Sequence, residues 1–281
     1  MRLLTTVRAA TAIAIAMAIA MASRAGAQRR GGGFNRYMGS PDDFYIPPDF
    51  RGNPLYDGHF TFARIKYRGY AKFGREGPGW SHDYPSAEEN FMKILRDITV
   101  VHPFVENGPI VGGAIVALDD PSLFRYPVSY MSEPGGWFPN DTEIAAFRTY
   151  ILKGGFMIFD DFRERGWGGD WTNLRMQVAR AMPNAKWVQM TGKEPIFDSF
   201  FKIDMKSAVE WPSTSAYGQN PPTYWAVYQD NDLKKRIILM ANVDNDIGES
   251  WQWSGTGFVP VSLSNETFKL GVNYIIYALT H

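Results

Sequence analysis

Cysteine is absent from all 281 residues, which removes disulfides, thiolate nucleophiles and cysteine-bound metals at once. Histidine is scarce, at four residues, and no ligand-type residues recur at fixed metal spacing, so neither a metal site nor a cofactor is expected. No lysine or arginine cluster downstream of residue 27 is long enough to neutralise a phosphate backbone, which argues against a nucleic-acid partner. The Gly-x-Ser-x-Gly elbow of serine hydrolases is missing as well.

What is present begins with an export signal. Arg2 and Arg8 precede an apolar run from Ala9 to Ala22, and Ala25-Gly26-Ala27 supplies the small residues of a signal-peptidase site, so cleavage is expected before Gln28. The run is shorter than the roughly 20 residues a helix needs to cross a bilayer, so no stable span is expected once it is removed. Residues 1–27 carry three of the 29 basic residues and none of the 29 acidic ones, so the mature chain is slightly acidic. A secreted or periplasmic location follows. There the fold must be held by its core rather than by disulfides, and 45% hydrophobic and 15% aromatic residues suffice for that.

Residues 28–58 hold Gly31 to Gly33, Pro41, Pro47, Pro48 and Pro54 without a sustained period, and read as an extended leader. Residues 59–281 alternate strand and helix patterns. The most legible unit runs from Phe138 to Phe162. Asn140 and Glu143 stand at capping-box spacing; Ile144, Phe147 and Ile151 mark one helical face; Gly154 closes the helix. The apolar run Phe156 to Phe159 then reads as a strand covered on both faces, ending in Asp160-Asp161. A strand from Phe60 to Tyr67, a helix after Pro85 with Ala87, Phe91, Leu95 and Ile98 inward, and strands at Ala114–Leu118 and Val128–Met131 precede it. After it come a helix through Leu174, Val178 and Ala181, a strand at Trp187–Met190, an antiparallel hairpin near Trp225–Met240 and a final helix from about Asn265 to Leu279. The expected fold is a three-layer α/β sandwich with a mainly parallel sheet and an antiparallel hairpin at one edge.

Four stretches carry a family resemblance: Phe62-Ala63-Arg64-Ile65-Lys66-Tyr67; Trp80 with Asp83-Tyr84-Pro85 and Asn90; Tyr126-Pro127 with Tyr130; and Gly154-Gly155-Phe156 with Asp160-Asp161-Phe162. Together they resemble the bacterial family called domain of unknown function 4159, over roughly His59 to His281. The resemblance implies a flavodoxin-like α/β sandwich organised like the class I glutamine amidotransferases. Amidotransferases of that class attack with a cysteine, and this chain has none, so their chemistry is not expected here.

Ligands of open α/β sheets bind outside the carboxyl ends of the strands, which singles out Asp160 and Asp161. Two neighbouring carboxylates can act as acid and base or hold a cation; they can equally cap backbone amides in the loop that follows. Alternation along a strand predicts that only one of them faces a crevice. His82 and Asp83 lie in the loop after the first strand, which opens on the same edge, where a histidine beside a carboxylate can serve as base or ligand. Trp80, Trp167 and Trp171 are candidate ligand-stacking rings, with core packing as the alternative. Asp119-Asp120 before Pro121 reads as a turn initiator, and Asp244 to Glu249 fails the full calcium-loop pattern and reads as a hairpin turn. The expected function is a non-catalytic module binding an envelope protein, glycan or small molecule. The alternative is a divergent hydrolase of a glycan or amide working through Asp160 or Asp161 with His82. What separates the two is whether His82, Asp83 and Asp160 or Asp161 meet in one concave pocket, within hydrogen-bond reach through at most one water.

Overall fold

The computed structural model describes residues 50, 52–68, 78–104, 113–164, 170–204 and 220–281. The expected signal peptide, most of the leader and Trp167 lie outside them. Seven strands, β1 (Ala63–Lys66), β2 (Ala114–Ala117), β3 (Val128–Ser132), β4 (Phe156–Phe162), β5 (Trp187–Gln189), β6 (Thr223–Tyr228) and β7 (Ile237–Val243), form one sheet in the order β2-β1-β3-β4-β7-β6-β5. The first five in that order pair in parallel, and β6 runs antiparallel to both of its neighbours. The parallel part repeats the 2-1-3-4-5 order of flavodoxin-like sheets, with the direction of winding reversing between β1 and β3. The antiparallel element is thus β6 alone, with β5 beyond it at the edge.

Helices α1 (Ser86–Ile98), α4 (Ile247–Gln252) and α5 (Val261–Thr280) cover one face, and α2 (Asp141–Leu152) and α3 (Asp170–Ala181) cover the other. This is the expected three-layer sandwich. Strand residues alternate between the two cores. In β4, Phe156 and Ile158 join α1 and α5, while Met157 and Phe159 join α2 and α3. Both faces are dry, which is why these strands show no polar alternation.

The α2 capping box forms as its sequence predicts. Glu143 N–H donates to Asn140 Oδ1 at 2.9 Å, and Asn140 N–H donates to Glu143 Oε2 at 2.8 Å. Gly154 then takes φ 106°, a left-handed value that closes the helix without Cβ strain. At α1, Ser86 and Glu89 stand at capping-box spacing, yet Pro85 occupies the cap position and Ser86 is the first helical residue, with no side-chain cap. The first helical amides instead use backbone carbonyls, Ala87 N–H donating to Asp83 at 3.0 Å. Ile98 and Leu279, expected inward, are exposed, each in the last turn of its helix. The last helix starts at Val261 rather than Asn265, and β1 is shorter than the expected strand. The end of the expected leader is pinned to the domain. Asn53 brackets Ile115, donating to its carbonyl and accepting from its N–H at 2.8 Å each, and so covers part of edge strand β2.

Candidate functional site

The carboxyl ends of β1, β3, β4 and β7 meet around the winding reversal, and each delivers acidic residues there. Beyond β1 the chain makes a 3-10 turn (Gly79–Ser81) and reaches His82 and Asp83 before α1. Glu133 follows β3, Asp160 and Asp161 lie in the last turns of β4, and Asp244 to Asp246 lead from β7 into α4. Among the described residues six non-glycine positions take positive φ, and four of them are acids at this edge: Asp83 (65°), Glu133 (47°), Asp161 (55°) and Asp244 (57°). Aspartate tolerates that conformation better than most side chains, though at a cost, and such outliers concentrate at sites.

His82 Nδ1 and Asp161 Oδ2 are hydrogen-bonded at 2.9 Å. Arg163 Nη2 lies 3.8 Å from the other oxygen of Asp161, and Glu133 Oε1 lies 3.8 Å from His82 Nδ1. On the opposite side of the ring, His82 Nε2 is 3.9 Å from Asp83 Oδ1, beyond direct hydrogen bonding. One ligating atom each of His82, Asp83, Asp161 and Asp246 lies within 4.8 Å of the other three. His82 and Asp161 are the partly open members, while Asp83 and Asp246 are buried behind them. An imidazole held by a carboxylate presents its other nitrogen in a fixed direction, as a proton acceptor or as a metal ligand.

A family model described as Domain of unknown function (DUF4159) matches residues 61–279. The chain belongs to the DUF4159 family. None of the curated proteins matches it. The matched segment contains every residue of the cluster, so the site belongs to the DUF4159 domain rather than to the stretch preceding it.

Asp160 and Asp161 do different things in this DUF4159 domain. Asp160 is fully buried, with Oδ2 accepting from Tyr130 Oη at 2.8 Å and from the N–H groups of Ile247 and Gly248 at 3.0 and 3.1 Å, and Oδ1 accepting from Asn242 Nδ2 at 2.9 Å. It caps backbone amides, as one reading expected, but those of α4, far along the chain, rather than those of its own loop. Burial pushes its carboxyl above the usual range, while the Asn242 and Tyr130 hydrogen bonds pull it back. Of the two neighbours only Asp161 reaches the open side of the edge; the β4–β7 register shifts between Phe159 and Phe162, and Asp161 sits there in left-handed backbone.

Asp83 is buried and strongly perturbed. Its side chain is 0% exposed, and neither carboxylate oxygen accepts a hydrogen bond. Burial, reinforced by Asp161 and Glu249, pushes it up to about 8 against the opposing pull of His82 and Arg64. Asp246 is raised for the same reason, burial first and then Asp161, Asp83, Asp160 and Glu249. Arg64 is engaged elsewhere, in a buried ion pair with Glu88 and a 2.9 Å bond to the Trp80 carbonyl.

The DUF4159 tryptophans are placed differently from the stacking reading. Trp80 and Trp171 are 3% and 6% exposed, and Trp171 packs against Phe162, Trp187 and Trp225, so neither ring has an open face. Asp120 initiates the turn at Pro121 as expected, accepting from Ser122 N–H at 2.8 Å. The Asp244 to Glu249 stretch is a correction: it enters α4, capped by Asp246, instead of turning a hairpin. Asp246 is the site residue that sequence reasoning missed. A cavity of about 520 Å³ lies at the other end of the sheet, lined by Arg148, Lys153 and Arg236 among others. Its arginines bond backbone carbonyls, Arg148 to Ala181 and Arg236 to Gly154 and Gly155, so it offers no comparable chemistry.

Proposed function

We propose that this DUF4159 chain is an exported hydrolase that cleaves glycan or amide bonds at the carboxyl edge of its sheet. The observation that carries the reading is convergence: His82 is hydrogen-bonded to Asp161 at 2.9 Å, with Asp83 beside the same ring. Three residues, two from the loop before α1 and one from the end of β4, 79 positions beyond His82, form one polar group at the place where α/β sheets bind ligands. His82 and Asp161 are the members that reach solvent, and they are placed to orient a water against a bound substrate. The strand order supports kinship with the flavodoxin-like class I amidotransferase organisation. Without a cysteine the reaction must run through water rather than a thioester. The N-terminal arginine, apolar and small-residue pattern supports export, and no described helix is long and apolar enough to cross a membrane.

The test uses the full chain expressed with its own signal, recovered from the periplasm or medium, with its new N-terminus sequenced. Processing before Gln28 is the expected result. The protein is then incubated with oligosaccharides, peptidoglycan fragments and peptide amides. Turnover in wild type that falls at least 100-fold in Asp161→Asn, with the melting temperature within a few degrees, is expected. No turnover on any substrate, together with a ligand-specific rise in melting temperature, would move the site to the binding-module reading.

A further inference from the structure

Among the described residues, acidic groups outnumber basic ones around this cluster. Asp83, Asp161 and Asp246 face one another, with Glu133 and Glu249 close by. Against them stand His82, the Arg163 guanidinium 3.8 Å from Asp161, and Arg64, whose Nε and Nη1 are taken by Glu88 and the Trp80 carbonyl. Asp160 is not available to a ligand, because it already accepts four hydrogen bonds.

A second, independent observation is the state of Asp83. A carboxylate with a 0% exposed side chain ordinarily has donors on both oxygens, and here neither oxygen accepts a hydrogen bond. It is aimed into the group, with its ligating atom within 4.8 Å of those of His82, Asp161 and Asp246. The backbone makes room for it there. A Cβ on Gly248 would stand 2.7 Å from Asp83 Oδ2 and 2.7 Å from Tyr130 Oη, so the glycine clears the space the carboxylate occupies.

We propose that His82, Asp83, Asp161 and Asp246 bind one first-row divalent cation, Zn²⁺ or Mn²⁺. Ligands on opposite sides of such an ion, at about 2.1 Å each, stand roughly 4 Å apart, so the cluster contracts only slightly to coordinate it. One imidazole among carboxylates selects Zn²⁺ or Mn²⁺ over Ca²⁺ and Mg²⁺, which take oxygen ligands alone. The site deepens the hydrolytic reading by naming what activates the water, since a bound cation makes hydroxide available near neutral pH. Cation binding itself stands apart from that reading.

The experiment is calorimetric titration of the EDTA-treated, dialysed full chain with ZnCl₂ and with MnCl₂, alongside CaCl₂. Wild type is expected to bind one Zn²⁺ or Mn²⁺ per chain, with Ca²⁺ at least 10-fold weaker. Asp83→Asn and Asp246→Asn are each expected to weaken binding at least 10-fold, the second keeping an α4 cap because asparagine also accepts from Glu249 N–H. Asp230→Asn, at an exposed turn carboxylate paired with Lys235, is expected to change nothing. Absence of stoichiometric binding in wild type, or unchanged affinity in both site variants, would overturn the proposal. Binding without hydrolysis of any substrate would leave the cation site standing and remove the hydrolase. Hydrolysis that survives EDTA, with no binding, would do the reverse.

Discussion

Asp160→Ala tests whether Asp160 holds the site's framework while its neighbour faces the chemistry. The Asp160 carboxylate ties four elements together: Tyr130 from β3, Asn242 from β7, and the first two amides of α4, all donating to a side chain of β4. Asn242 in turn accepts from Tyr274 of α5 at 2.8 Å. Truncation strands four buried donors, each worth about 1–3 kcal/mol when left unsatisfied. They share one site and relax together, so the losses do not add. Removing a buried carboxylate also relieves its desolvation. The net expectation is about 3–5 kcal/mol of lost stability, the range for breaking a buried charged network. For a domain of this size that lowers the melting temperature by roughly 6–20 °C. Urea unfolding followed by tryptophan fluorescence reads it as a lower midpoint at an unchanged slope. Asp161→Ala is the companion. It loses the His82 bond and sets an alanine in left-handed backbone that aspartate tolerates better, while shedding repulsion from Asp83 and Asp246, so its net cost is expected to be only about 1 kcal/mol. A loss under about 1 kcal/mol in Asp160→Ala, or equal losses in both variants, would refute the division of labour.

Asn140→Ala removes the α2 cap and half of its capping box, and should cost about 1 kcal/mol, or roughly 2–4 °C, in a thermal melt. Glu88→Ala leaves Arg64 buried without its carboxylate and should cost about 3–5 kcal/mol by urea unfolding; a cost below about 1 kcal/mol would mean the guanidinium finds another partner. Asp83→Asn should raise the melting temperature in EDTA, because an amide is cheaper than a carboxylate in a dry, acidic surround; a fall would show that Asp83 has a compensating donor. Gly248→Ala pushes a methyl against Asp83 Oδ2 and Tyr130 Oη, so the zinc-induced rise in melting temperature should require at least 10-fold more metal, with the metal-free protein retaining its cooperative unfolding.

The parts of this fold that were legible in sequence are those fixed by neighbours in the chain. Asn140, Glu143 and Gly154 bound α2 by local hydrogen bonds and a local φ, and all three act as their spacing implies. The unalternated run at Phe156 was legible because burial on both faces leaves its mark in four consecutive residues. His82, Asp83 and Asp161 could be named because a parallel sheet sends the loops after its strands to a common edge. Asp246 could not, because its local pattern was judged as a metal loop complete in itself, and the ligating group is assembled from two loops and the end of β4. The amides that Asp160 caps could not be named for a related reason. Its partners Asn242, Ile247 and Gly248 lie more than 80 residues away, and the register shift beside it arises from pairing with β7.

The same edge concentrates what a stable fold ordinarily avoids: four acids in left-handed backbone, a buried carboxylate without donors, and glycine where a side chain would collide with that carboxylate. Elsewhere the described domain follows ordinary packing, with dry faces, a capping box on α2 and an edge strand bracketed by Asn53. Strain concentrated at one edge, and opposed there by a rigid framework through Asp160, is how a site is kept preorganised against its own repulsion. The consequence is a sign reversal between two measurements on one variant. Asp83→Asn should make the metal-free protein more stable and the metal-saturated protein less so, because the carboxylate that burdens the empty cluster is the one that binds in the filled one. A merely structural aspartate moves both in the same direction.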